Sequence, residues 1–337
     1  MVDGKRKYES FTAETRREAE KQAADFAAER ERAGMLRDRP EKLTVAEALT
    51  KYIDDRDNVL SPSTLRVYEG YSRNSNGSIA SCQLGEITQD EIQRWINALA
   101  AEHKPKTVRN AFGLLSAVMR VYVPSWQIRV HLPRVDREPP SIPEPTDVNK
   151  IMSTIHDIKT YAALLLAAEC GLRRSEVGML EWDRIDLVGA KMYINKALVY
   201  GRHGKWVIKG TKSRKGTRWV DIPPPVVEAL SSLPRDNPRV FHPMSPGAIS
   251  QRIKHVIDSL GMTYTMHRMR HYHASIMNAL GVPDKYAAEQ LGHADTRITR
   301  DVYQHTMQSK RTEMADLIGK FYAMQNVVQN ADGKTEE

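Results

Sequence analysis

Four short strings in the second half of the chain carry side chains suited to phosphoryl chemistry: GLRRSE, GTKSRKGTR, HRMRHYH and LGHADTRITRDVY. They hold guanidinium groups (Arg173, Arg174, Arg270), ammonium groups (Lys212 and Lys215, with Lys209 just upstream), imidazoles (His267, His293) and a phenol (Tyr303). Breaking a phosphodiester by transesterification requires a nucleophile, stabilisation of charge on the nonbridging oxygens, and a proton for the leaving 5′ oxygen. A phenol can serve as the first. Guanidinium groups stay charged and present paired donors, which suits the second. A lysine or histidine with a lowered pKa can supply the third. With every charge drawn from the protein, such a site needs neither metal nor ATP, and no cofactor is expected. His271 and His273 add a histidine cluster that invites a zinc site, but no cysteine or suitably spaced carboxylate completes it. Residue types alone leave choices open: Arg173 or Arg174, Lys212 or its neighbours Lys209 and Lys215, and one tyrosine among 13.

The charge balance points to the class of substrate. Lysine and arginine outnumber acidic residues 50 to 42, a formal net charge of +8, which favours a polyanionic partner over a small acidic substrate. Clustering sharpens this: Arg202, Lys205, Lys209, Lys212, Arg214, Lys215 and Arg218 follow one another with no acidic residue among them, and read as a phosphate-seeking surface. Cys82 and Cys170, the two cysteines, form no metal-ligand spacing and read as reduced thiols of a cytosolic protein. No apolar run approaches the roughly 18 residues of a membrane span, and the polar first residues lack a signal-peptide apolar region. The expectation is a cytoplasmic protein with no membrane partner.

Positioning these side chains requires a scaffold, and the pattern is mainly α. Residues 1–35 run from a basic, strand-like GKRKYESF into a charged helix, with Thr15 and Glu18 as a capping box and Gly34 as its stop. From 43 to 135 the pattern is amphipathic helices: Thr44 with Glu47 and Thr88 with Glu91 are capping boxes, and Ser61 precedes Pro62 at a helix start. Val108, Ala111, Phe112, Leu115, Val118, Met119 and Tyr122 share one helical face, which turns Arg109 and Arg120 outward. The proline-rich stretch at 136–146 reads as an interdomain linker. Within 147–325, Val148, Ile151, Met152 and Ile155 form a helical face, and YAALLLAAEC reads as a core helix capped by Gly171. KMYINKALVY, KWVIKG and TRWVDIP read as three strands of a small antiparallel sheet. A Ser245–Pro246 start opens a further helix ending at Gly261. Met314, Leu317, Ile318 and Phe321 make a last apolar stripe, and residues 326–337 read as a disordered tail.

The order and wording of the four strings resemble the tyrosine recombinase (phage integrase) family, strongly from Pro145 to Tyr322 and more loosely from Leu43 to Val135. The resemblance implies the family's fold, a helical core-binding domain followed by a mostly helical catalytic domain with a small antiparallel sheet. It makes 1–35 similar to the end of an arm-site DNA-binding domain, beside the alternative of a helical leader. The family register selects Arg173 over Arg174, with Glu176 three residues later as a supporting acid. The T-K-S setting selects Lys212, and the H-x-x-R box selects His267 and Arg270, although Arg268 and Met269 stand where the family often has Asp and Leu. Tyr303, ten residues after His293, becomes the nucleophile. Arg174, Lys209, Arg214, Lys215, Arg109 and Arg120 are left as DNA-backbone contacts. The implied activity is site-specific recombination through a 3′-phosphotyrosyl link, integrating or excising a phage or other mobile element in a bacterium. Its partners would be double-stranded attachment sites, three further copies of the chain, and accessory excision or DNA-bending proteins. A type IB topoisomerase and a non-cleaving DNA-binding relative are the alternatives; the stripe after Tyr303, which in the family docks on a neighbouring protomer, favours strand exchange.

Overall fold

The computed structural model describes residues 10–13, 15–38, 40–135, 141–210 and 216–292. Lys212, Arg214, Lys215, His293, Tyr303, the stripe from Met314 to Phe321 and the tail lie outside the described residues, as do 136–140 of the expected linker. The described chain forms two compact units, divided between Val135 and Ser141, with Gly201–His203 grouped with the first.

The first unit is helical: α1 (Arg16–Asp38), α2 (Val45–Asp54), α3 (Pro62–Asn74), α4 (Gln89–Glu102) and α5 (Pro105–Tyr122). The capping boxes expected at Thr44 and Thr88 form, and at Thr15 the Glu18 N–H donates to the threonine Oγ1 at 3.3 Å. Thr44 and Thr88 each accept from the backbone N–H of the glutamate three residues on, and each glutamate carboxylate accepts from the threonine N–H in return. Pro62 opens α3, but Ser61 Oγ pairs with Ser63 Oγ at 2.7 Å and makes no cap hydrogen bond. The apolar faces of α2, α4 and α5 close a core around Leu49, Trp95, Ile96, Leu115 and Val118. Helix α1 does not stop at Gly34 but continues to Asp38, since an interior glycine costs only about 1 kcal/mol and the residues around it are good helix formers. Within this unit Arg202 donates to Asp54 Oδ1 at 2.8 Å and Glu69 Oε1 at 2.6 Å. Its charge is therefore answered by carboxylates, and it does not belong to the phosphate-seeking run in which its sequence placed it.

In the second unit α7 (Ile158–Ala168) is the centre. Its residues Ala162–Ala168 are all buried, so it is apolar around its whole circumference and must be enclosed by other helices. Those are α6 (Pro145–Thr154), α9 (Pro224–Ser231), α10 (Pro246–Ser259) and α11 (Met266–Ala279). Val148 and Ile151 of α6 and the i, i+4, i+8 set Ile249, Ile253, Ile257 of α10 face this core. The cap of α7 is Glu169; Gly171 lies beyond it with φ +67°, a left-handed conformation that reverses the chain. The sheet content is β1 (Ile185–Asp186), β2 (Lys191–Ile194), β3 (Lys196–Tyr200), β4 (Trp206–Gly210) and β5 (Arg218–Asp221). KMYINKALVY is two strands broken at Asn195, because its halves take different partners: β2 pairs with β1 and β5, and β3 pairs with β4. There are accordingly two small antiparallel sheets among the described residues where one was expected. Helices α8 (Arg174–Val177) and α12 (Asp284–Leu291) complete the unit and carry the site.

Candidate active site

Gly171 turns the chain so that Leu172 N–H donates back to Leu166 O at 3.0 Å, and Arg173 arrives as the N-cap of α8. Glu176, at the third position of α8, is 4% exposed and accepts four hydrogen bonds. Two come from Arg173, through its backbone N–H at 2.9 Å and its Nη1 at 2.8 Å. The other two come from Arg218, which opens β5, through Nη1 at 3.2 Å and Nη2 at 3.0 Å. Burial alone would raise this carboxyl; Arg218 first, then Arg173 and Arg270, outweigh it and hold the group at about 2.

The far side of the cluster is the C-terminal end of α12, where unpaired carbonyls form the negative pole of the helix. Three successive carbonyls each accept from a different arginine. Gln290 O takes Arg218 Nε at 2.8 Å, Leu291 O takes Arg270 Nη2 at 2.6 Å, and Gly292 O takes Arg173 Nη2 at 3.1 Å. Arg270, on α11, also donates through Nη1 to Gly171 O. Three cations are thus gathered round one carboxylate and one helix end. Burial and the neighbouring Arg173 push the Arg270 guanidinium down to about 9, so it remains charged at neutral pH. Exposure separates the three: the Arg173 side chain is 36% exposed and that of Arg218 6%, and Arg270 as a residue is 3% exposed.

His267 lies one turn before Arg270 in the first turn of α11, with solvent-exposed surface, and its ring meets His271 edge-on at 4.6 Å. Partial desolvation first, then Arg270, Arg173, Arg268 and Arg174, lower its pKa, which keeps the imidazole neutral and able to accept a proton. His273, deeper on the same helix, has its Nε2 buried without a hydrogen-bond partner among the described residues. No group of three or more potential metal ligands occurs among the described residues. Arg174, Arg109 and Arg120 are exposed and Lys209 is half-buried. Arg109 Nε donates to Pro133 O at 2.8 Å, and the residue lines an open groove with Ser63, Thr64, Tyr68 and Asn110 of α3 and α5.

Residues 144–310 match the phage integrase family, and residues 44–100 match the SAM-like N-terminal domain of phage integrases. The chain belongs to the phage integrase family. Among its relatives is a tyrosine recombinase XerC-like protein of Caldanaerobacter subterraneus subsp. tengcongensis, 22% identical, with 77% of this chain and 78% of that protein covered. The fold is shared with the Tn1549 transposon integrase in complex with transposon right-end DNA, at TM-score 0.68 and 20% identity, covering 82% of this chain and 100% of that one. A lambda integrase dimer bound to a core site matches at TM-score 0.60 and 18% identity, over 87% of this chain and 88% of that one. As a tyrosine recombinase of this family, the protein is an enzyme of site-specific DNA recombination.

Within this phage integrase fold, Arg218 is a second residue, after Arg202, that the basic run misplaced. Taken as one of seven surface cations, it is instead the buried partner of Glu176. The signal was present in β5, where alternation sets Arg218 and Val220 on the inner face and Trp219 and Asp221 on the outer one. An arginine on the apolar side of a strand needs a buried acid, and Glu176 is that acid.

Proposed function

We propose that the protein integrates or excises a mobile DNA element by cutting and rejoining duplex attachment sites through a 3′-phosphotyrosyl intermediate. Tyr303 Oη attacks the scissile phosphorus, and the bond from phosphorus to the 5′ oxygen breaks. Lys212 gives that oxygen its proton, and His267 accepts the phenol proton. Arg173, from its exposed edge, and Arg270, from the deeper position behind it, stabilise the nonbridging oxygens, with His293 as a further donor. Glu176 offsets part of the cluster's positive charge and holds Arg173 in place. Attack by the 5′ hydroxyl of a partner strand reverses the step, so the bond energy is conserved and no ATP is needed.

The observation that carries this reading is the convergence of Arg173 and Arg270 on the carbonyls just before His293, with Arg173 held from the other side by the Glu176 carboxylate. Arg174, Lys209, Arg214, Lys215, Arg109 and Arg120 contact the DNA backbone; for Arg109 the groove of hydroxyl and amide side chains between α3 and α5 supports the role. Four copies assemble on DNA through the stripe after Tyr303, with accessory excision or bending proteins, in the cytoplasm of a bacterial host. The test is Tyr303→Phe on a nicked attachment-site duplex taken from the flanks of the element that carries the gene. DNA binding should persist and the protease-sensitive covalent complex should vanish; a complex that still forms assigns the nucleophile elsewhere.

A further inference from the structure

A guanidinium has five N–H donors, and the way three arginines spend theirs divides them by task. Among the described residues Arg218 makes four side-chain hydrogen bonds: two to Glu176, one to Gly216 O and one to Gln290 O. It is sealed from solvent and has almost nothing left for a phosphate. Arg173 and Arg270 each make two. Glu176 faces a competition that Arg218 decides. A carboxylate beside a single arginine takes it in a bidentate fork. Here Arg218 occupies one site on each carboxylate oxygen, and the Arg173 side chain reaches Glu176 through Nη1 alone while its Nη2 stays on Gly292 O. The other end of Arg218 reaches Gln290 O, two residues before Gly292, which precedes His293.

Gly292 adds an independent observation. Its φ is +65°, and a Cβ there would stand 2.8 Å from Arg218 Nη1 and 3.0 Å from Cζ. The left-handed turn that closes α12 is thus packed directly against this guanidinium, and both fix the carbonyl that holds Arg173.

We infer that Arg218 is a positioning residue of the recombination reaction, locking the Glu176 carboxylate to the C-terminus of α12 so that Arg173 stays available to the scissile phosphate. The inference rests on the function proposed above. Losing Arg218 would let Glu176 draw Arg173 into a fork and remove one of the three positive charges around it.

The experiment compares the full-length wild type, Arg218→Gln and Arg218→Lys in single-turnover cleavage of a nicked attachment-site duplex. One substrate carries the ordinary scissile phosphate and the other a methylphosphonate, which has no negative charge there for arginine to neutralise. Circular dichroism checks folding, and half-site gel shift checks binding. For Arg218→Gln, cleavage of the phosphodiester should fall by roughly 100-fold, the scale of a misplaced catalytic group, with half-site binding little changed. The deficit should shrink severalfold or more on the methylphosphonate, and lysine, which cannot make the fork, should restore only part of the rate. Equal deficits on both substrates would mean general structural support and overturn the inference, as would a wild-type rate for Arg218→Gln. If Arg218→Gln does not fold, Gly292→Ala, which presses on the same guanidinium, should show the same dependence on substrate charge, and equal deficits there overturn the inference too. A wild type that cleaves neither substrate refutes the proposed function and this role together; a cleaving wild type with an unimpaired variant refutes only the role.

Discussion

Glu176 shows how much a single carboxylate organises. With four donors on two oxygens and three guanidinium groups nearby, it stays ionised wherever the protein is folded, and its own burial is offset by the charges it orders. It is no proton carrier, so the leaving oxygen needs another acid. Lys212→Ala should therefore slow cleavage of ordinary DNA by roughly 10²- to 10⁴-fold, the usual worth of general acid catalysis. The same variant should recover most of the wild-type rate on a substrate whose 5′ bridging oxygen is sulfur, since a thiolate leaves without a proton. A rapid-quench comparison of the two substrates decides the matter, and a variant that is not rescued, though folded and bound, moves the acid to another group. The grouping of Arg173, Glu176 and Arg270 was legible in the strings GLRRSE and HRMRHYH. Arg218 was not, because counting charges along a basic run ignores the two-residue period of the strand that begins there. Nothing in the residue types alone revealed that backbone carbonyls of α12 would be the arginines' second set of partners.

At the scale of elements, capped helices were the most readable part. The threonine–glutamate pairs at 44 and 88 and the serine–proline start at 245 mark their helices because local hydrogen bonds make those ends whatever packs around them. Strand partners and the end of α1 were less readable: the break at Asn195 depends on distant pairing, and Gly34 is a stop only if the helix has reason to end. Helix α11 carries a testable pH dependence. Burial first and Arg270 second push the His273 imidazole down to about 4, against a hydrogen bond with Ala168 that works the other way. The unfolded chain, with a histidine near 6.5, takes up its proton first as pH falls. Stability from this group is thus complete above about pH 6.5 and is lost between there and about 4. Glu176 adds its own loss only at lower pH, below the ordinary carboxyl range near 4.5. His267, also lowered, adds to the loss as pH falls below the ordinary histidine range. Urea denaturation of wild type and His273→Gln at pH 7 and 4.5 should show the wild type losing more stability, by on the order of 2 kcal/mol. Parallel losses would mean that His273 is not buried neutral.

For the whole molecule, the proposed assembly rests on the stripe Met314, Leu317, Ile318 and Phe321. Burying one such side chain is worth roughly 1.5–3 kcal/mol, so ending the chain after Gln308 should weaken a tetramer on attachment-site DNA by several orders of magnitude in concentration while one protomer still binds a half-site. Sedimentation and native gel shift of the truncated protein measure both, and a truncation that assembles and recombines at the wild-type rate removes the stripe from the interface. The enclosure of α7 also sets it apart in time from α1. Its peptide N–H groups sit inside a layer of helices on every side, whereas α1 has no buried side chain among those described, only Phe26 against Phe11 and scattered half-buried alanines. In deuterated water the amides of α7 should exchange last, at the rate set by global opening of its unit, and those of α1 first, by fraying. Mass spectrometry of peptic fragments would read that sequence directly, and early labelling of α7 would contradict it. The arginines and the helix end they grip would then be packed against the slowest-opening helix of their unit, so their arrangement would outlast the fraying of helices such as α1.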